Sequence, residues 1–288
     1  MTNFEELNKK YPLKYIKFNN KNWEYLTRGS GKITLLVFPG GGQYAQSQYQ
    51  MIDEFSDKYK VIIPNIYNVY SIEEFCQEID EILKLEKADK LIVYGLSIGA
   101  LLAQSYTKRH KKTVLSLIIS HGCAPTSPTY QKKIIRYLKL LNIILPITPS
   151  FMIKFIAKNW AGRIQGISKK VTKDFNRSVM ENNESNNLMK LLSRKFYEKY
   201  LTKTLLYTWI GLHFDFHNNE KFNSETFKDW KGNVLILRTD NDPLMQDDGE
   251  FKKIYPNAKV YTFSGFGHLT AIYEHKKAIR VMKAFLNY

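Results

Sequence analysis

The sequence predicts an α/β fold, a mostly parallel sheet with helices on both faces, on three observations. Strand-like and helix-like segments alternate through the first 120 residues. Short, fully apolar runs end abruptly in glycine-rich or turn-forming residues, as buried parallel strands do. The rhythm then stops and resumes near residue 234, so one strand-helix core carries an insertion.

Taken in order, Leu13–Phe18 and Trp23–Thr27 form an opening pair of strands around the turn Asn19–Asn22. Ile33–Phe38 is a buried strand running into Pro39-Gly40-Gly41-Gly42, and Val61–Ile63 is another, stopped by Pro64. Ser71-Ile72-Glu73-Glu74 is a capping box that opens a helix with apolar residues at helical spacing. Leu91–Tyr94 is a strand with the helix Ile98–Arg109 directly behind it, and Val114–Ile119 is the next strand. Thr126–Glu225 shows no strand pattern and reads as helices broken at Pro146, Pro149, Gly162 and Gly166. Val234–Arg238 and Lys259–Phe263 resume the sheet, and Leu269–Asn287 closes the chain as a helix. The expected division is a core of residues 1–124 and 227–288 with a helical cap, 125–226, inserted after the sixth strand.

Composition bounds the class. At 288 residues, 44% hydrophobic and 24% charged, the chain matches an ordinary globular protein. Cys76 and Cys123 make no disulfide framework and no metal-ligand spacing. The N-terminus lacks a secretory h-region, and charges and prolines interrupt Ile134–Ala157, the best apolar stretch. A cytoplasmic setting is the expectation. The net charge is +16, and residues 126–225 hold 17 Lys or Arg against 7 Asp or Glu. Such a surface attracts anionic partners, either a carrier or a membrane surface, unless it reflects genome composition alone. No nucleic-acid-binding motif accompanies the charge.

Gly95-Leu96-Ser97-Ile98-Gly99 fits the nucleophile-elbow pattern G-x-S-x-G. Small residues are needed there because the serine sits on a strained turn between strand and helix. The bare pattern arises by chance about 0.1 times in a chain this long. Its place between Leu91–Tyr94 and Ile98–Arg109 gives it weight. Further along, Thr239-Asp240-Asn241-Asp242-Pro243 follows one strand, and Ser264-Gly265-Phe266-Gly267-His268 follows the next. Serine, acid and histidine in that order predict Ser97 as nucleophile, His268 as general base and Asp242 as the third member, with Asp240 as the alternative acid. His121 could line the pocket but precedes the acid. His110, His213, His217 and His275 lie in a basic run, the insertion or the last helix. The oxyanion donors are assigned to the backbone N–H groups of Ile98 and Gly41, with Gly42 next in line.

On the elbow, the Pro39–Gly42 loop, the Asp240–Pro243 turn and Gly267-His268, the chain resembles the α/β-hydrolase superfamily over nearly its whole length. The resemblance implies an eight-stranded sheet with the site at its C-terminal edge beneath the cap. Pro39 stands where many members have histidine. A fainter likeness to maspardin-type members rests on Glu74-Phe75-Cys76, Leu101-Leu102-Ala103-Gln104 and Tyr255-Pro256-Asn257-Ala258. Such members are often regarded as binding proteins with incomplete triads.

The expected activity is hydrolysis of a carboxylic ester or thioester through an acyl-enzyme, with no metal or organic cofactor. An acyltransferase with the same triad and a non-catalytic binding protein are the alternatives. Ile134-Ile135, Leu140-Leu141, Ile143-Ile144-Leu145, Phe151, Phe155 and Trp160 would line an acyl pocket or form the cap's own core.

Overall fold

Leu35, Leu36, Val37 and Phe38 have no polar residue among them, and the strand they form is buried on both faces. Burial on both faces recurs at Val61–Ile63 and Leu91–Leu96 in the computed structural model, which describes residues 3–128, 130–155, 188, 191–242, 249–265 and 267–287. A short helix α1 (Phe4–Lys10) is capped by the Asn3 side chain, which accepts from the Glu6 amide. Strands β1 (Leu13–Phe18), β2 (Lys21–Arg28), β3 (Thr34–Phe38) and β4 (Lys60–Pro64) follow, with α2 (Tyr49–Phe55) before β4. Next come α3 (Ile72–Leu85), β5 (Leu91–Leu96), α4 (Ile98–Arg109) and β6 (Val114–Ser120). The eight strands stand in the order β1-β2-β4-β3-β5-β6-β7-β8, where β7 is Asn233–Thr239 and β8 is Lys259–Phe263. The β1–β2 and β2–β4 pairs are antiparallel and the rest are parallel, so β2 alone runs against the sheet.

Register aligns the strand ends that matter. Phe38 pairs with Gly95, Leu96 with Ser120, Ser120 with Leu237, and Thr239 with Phe263. The loops that leave β3, β5, β6, β7 and β8 therefore emerge side by side at the sheet's C-terminal edge. Ligand sites of parallel sheets lie at that edge.

Ser71 caps α3 by accepting from the Glu74 amide at 3.2 Å. The Glu74 carboxylate reaches one residue further back than a capping box requires, to the Tyr70 amide at 3.1 Å. The closing helix differs from the continuous one the sequence predicts. A 3₁₀ turn (Gly267–Leu269) and α8 (Thr270–Tyr273) are separated from α9 (His275–Phe285) at Glu274. Glu274 leaves helical geometry (φ −101°, ψ 28°), although its carbonyl still accepts from the Lys277 and Ala278 amides.

Between β6 and β7 the described residues form helices joined by turns and loops, with no strand among them. They include α5 (Ile135–Ile144), residues 150–155 and α6 (Lys203–Asn219). The chain turns between Ile144 and residue 150, where Pro146 and Pro149 predict breaks. Gly162, Gly166 and Trp160 lie outside the described residues. Ile135, Leu138 and Leu145 face inward, but Leu140, Ile143, Ile144, Phe151 and Phe155 are exposed and lie outside the buried core of the described residues. An apolar residue on a helix reads as buried in sequence, and only packing shows which face has a partner. The C-terminal end of the segment is tied down at Glu220, which pairs with Arg109 and, at 3.1 Å, with Lys108 on α4. Among the described residues no helix is long and apolar enough to cross a membrane.

Candidate active site

β5 delivers Leu96 into a turn at which Ser97 adopts φ 55° and ψ −117°, a conformation few non-glycine residues take. Such backbone costs on the order of 1–3 kcal/mol and persists only where its surroundings enforce it. Here the enforcement is visible at both flanking glycines. A Cβ on Gly95 would stand 2.1 Å from the Gly99 carbonyl oxygen, and one on Gly99 would stand 2.2 Å from the Phe38 oxygen. The elbow is thus wedged between α4 and the end of β3, and the Ser97 amide is held by the Ser120 carbonyl at 2.9 Å. α4 begins at Ile98, whose N–H has no acceptor within the helix because it belongs to the first turn.

The Ser97 Oγ lies 2.9 Å from Nε2 of His268, and Nδ1 of His268 lies 2.8 Å from Oδ2 of Asp242. Both His268 and Asp242 are buried, while Ser97 is partly open. An ionised carboxylate can only accept, so Nδ1 carries the imidazole proton and Nε2 is left to accept from the serine hydroxyl. Asp240, the alternative acid, points elsewhere and accepts from the Gly265 amide at 3.3 Å. Asn241 accepts from the Gly267 amide at 3.1 Å. Thr270 Oγ donates to the Gly267 carbonyl at 2.8 Å. Two side chains of the acid loop and one from α8 thus fix the loop that presents His268.

His121 leaves β6 with φ 47° and lies edge-on to His268, ring centroids 6.4 Å apart. Its own nitrogens are engaged by Ser120 Oγ at 3.1 Å and Thr239 Oγ at 2.9 Å. Burial pushes its pKa down to about 4, with the nearby His268 adding to the effect, so the ring is neutral at physiological pH. It packs edge-on against His268 and spends its own hydrogen bonds on Ser120 and Thr239. Sequence order alone sets His121 aside, and its position follows from the neighbouring strand ends.

The Pro39–Gly42 loop lies against α4 and α6. A Cβ on Gly41 would be 4.0 Å from the Ile98 side chain and 3.8 Å from the ring of Trp209 on α6. The Gly40 amide is already taken by Gln43 Oε1 at 3.0 Å, and Gln48 donates to the same oxygen at 2.6 Å. Gly42 has φ 80° and nothing near its Cβ position. Of the three glycines, Gly41 is the one whose Cβ position faces the Ile98 side chain at the start of α4. Trp209, which covers this loop, is the residue that sequence reasoning misses, since nothing in its local pattern separates it from a core tryptophan.

A strained serine, a buried histidine and a buried aspartate are joined by hydrogen bonds at one sheet edge. Residues 33–274 match the family model described as alpha/beta hydrolase fold, and the chain belongs to that family. No curated protein sequence matches it. Among solved structures it is similar to MGS-M2, an alpha/beta hydrolase enzyme from a Medee basin deep-sea metagenome library. That match has 15% identity and a TM-score of 0.66, covering 96% of this chain and 98% of that one. A thermophilic esterase from Thermogutta terrifontis matches at 13% identity and TM-score 0.65, covering 96% and 98%. Carboxylesterase CesB from Bacillus subtilis matches at 12% and 0.64, covering 98% and 95%. At these identities the likeness is one of fold.

Proposed function

We propose that the protein is a serine hydrolase that cleaves a carboxylic ester or thioester. The observation that carries this reading is the unbroken hydrogen-bonded chain from Ser97 through His268 to Asp242. Ser97 Oγ attacks the carbonyl carbon and its proton passes to His268 Nε2, while Asp242 holds the imidazole by Nδ1 and stabilises the imidazolium. The N–H groups of Ile98 and Gly41 face the oxygen as it becomes negative, aided by the N-terminus of α4. Collapse of the tetrahedral intermediate expels the alcohol or thiol, which takes the proton from His268. Water, deprotonated by His268, then attacks the acyl-enzyme and returns Ser97 to its hydroxyl form. Residues 125–226 act as a cap over this site, with Trp209 contributing its wall. Fold relatives described as esterases fit this chemistry.

A fluorophosphonate probe tests the reading. Labelling mapped to Ser97 by mass spectrometry, and lost in both Ser97→Ala and His268→Ala, is the expected result. A folded wild-type protein that takes no label would make the family's fold a binding scaffold here. Product analysis with added alcohols or amines separates hydrolysis from acyl transfer.

A further inference from the structure

Eight of the thirteen strongly exposed large apolar side chains among the described residues fall between Tyr137 and Phe155. Scattered exposed apolar residues are ordinary on a protein surface, but a contiguous group this size is not. Ile143, Ile147 and Phe151 are the extreme cases, at 72%, 81% and 72% exposure. α5 buries Ile135 and Leu138 on one side and turns Tyr137, Leu140 and Ile144 outward on the other. A helix at a protein–water boundary carries polar residues on its outer face, and this one does so only in part.

The charge on the same stretch says what would cover it. Residues 130–155 contain five Lys or Arg and no Asp or Glu. Lys132, Arg136 and Lys139 are exposed and recur at helical spacing beside the apolar side chains, with Lys154 beyond the turn. An acidic protein carrier would pair with the bases but leave Ile147 and Phe151 in water. A bilayer satisfies both, because its acyl boundary takes up apolar side chains while anionic headgroups meet the lysines.

We propose that α5 and the turn after it form a docking face for an anionic phospholipid surface. Ile143, Ile147 and Phe151 enter the acyl boundary, and Arg136 and Lys139 lie among the headgroups. α5 packs against α6, which carries Trp209 over the Gly41 loop, so the docking face and the Ser97 site share one helix pair. The docking does not require Ser97 to be reactive.

The test is co-sedimentation of the Ser97→Ala protein with vesicles of phosphatidylcholine, alone or mixed with phosphatidylglycerol. Partitioning onto the mixed vesicles, weakened by salt, is expected. Ile147→Ser/Phe151→Ser should lower the partition constant at least about tenfold, since two exposed apolar side chains lose their burial. Arg136→Gln/Lys139→Gln should lower it about tenfold on mixed vesicles and little on neutral ones. These side chains are exposed, so unchanged thermal denaturation verifies that each variant is folded. No partitioning by the parent, or equal partitioning by the apolar pair variant, overturns the proposal. Sedimentation equilibrium covers the rival occupant: a dimer dispersed by Ile147→Ser/Phe151→Ser, without vesicle binding, would assign the face to a second copy of the chain. Loss of fluorophosphonate labelling with vesicle binding intact would reject the hydrolase reading alone.

Discussion

Asp242 meets His268 at 2.8 Å, while Asp240, two residues earlier on the same turn, accepts from the Gly265 amide. The two carboxylates therefore hold different things: one holds the imidazole, the other the backbone of the loop that carries it. Asp242→Asn should lower kcat on a generic ester by about 10⁴-fold, because an amide at that position favours the wrong imidazole tautomer. Asp240→Asn keeps an oxygen for the Gly265 amide and should change kcat by less than about threefold. Steady-state kinetics on the two variants decides the assignment, and an equal loss in both would undo it.

The elbow and the oxyanion loop use glycine for different reasons, and substitution separates them. In Gly99→Ala the new methyl meets the Phe38 and Pro39 carbonyls, which are backbone and cannot turn aside. A cost of about 2–3 kcal/mol follows, lowering Tm by about 5–10 °C. In Gly41→Ala the nearest atom is 3.8 Å away, so Tm should stay within about 1 °C. Its methyl nevertheless occupies space where a substrate carbonyl would approach Ile98, and kcat/KM should fall about tenfold or more. Paired calorimetry and kinetics would show whether stability and activity separate in this way.

The central sheet was legible because parallel strands covered on both faces must be continuous apolar runs. Val61–Ile63 within β4 and Leu91–Tyr94 within β5 are such runs, and both are buried throughout. The candidate site was legible for a related reason, since Ser97, Asp242 and His268 each lie in the loop that leaves a strand's C-terminal end. Helices α1, α2 and α7 (Glu250–Ile254) are only five to seven residues long, too short to carry a period. Trp209 and His121 act through neighbours distant in sequence. The outward apolar face of α5 looks in sequence like any core-facing stripe, and its exposure is a property of what fails to pack on it.

Glu78 on α3 is buried, and neither of its carboxyl oxygens has a hydrogen-bond partner among the described residues. Burial, reinforced by Glu74, pushes its pKa up to about 9. Between about pH 4.5 and 9 the native state keeps a proton that the unfolded chain releases, so this group lowers stability progressively as pH rises through that window. Glu78→Gln removes the titration and keeps the shape. It should stabilise the protein by about 2 kcal/mol at pH 8 and by much less near pH 5. Thermal denaturation at both pH values measures the difference, and a pH-independent effect would mean that Glu78 is ionised in the fold.

Acid should act through buried histidines of the opposite sign. His213 on α6 lies beside the Tyr130 hydroxyl, with Nδ1 3.0 Å from it, and burial lowers its pKa to about 4, as for His121. Below about pH 6.5 the unfolded chain takes up protons that these native rings refuse until about pH 4. Their contribution is intact above the unfolded pKa and is lost as pH falls, by about 2 kcal/mol each at pH 5. His213→Gln leaves an acceptor for Tyr130 and takes no proton. Its unfolding free energy should therefore fall less between pH 7 and pH 5 than that of the wild type, by about 2 kcal/mol. Urea titrations at the two pH values provide the comparison, and parallel losses would show that His213 is protonated in the native protein. His121 offers no such clean substitution, because its ring also packs against His268.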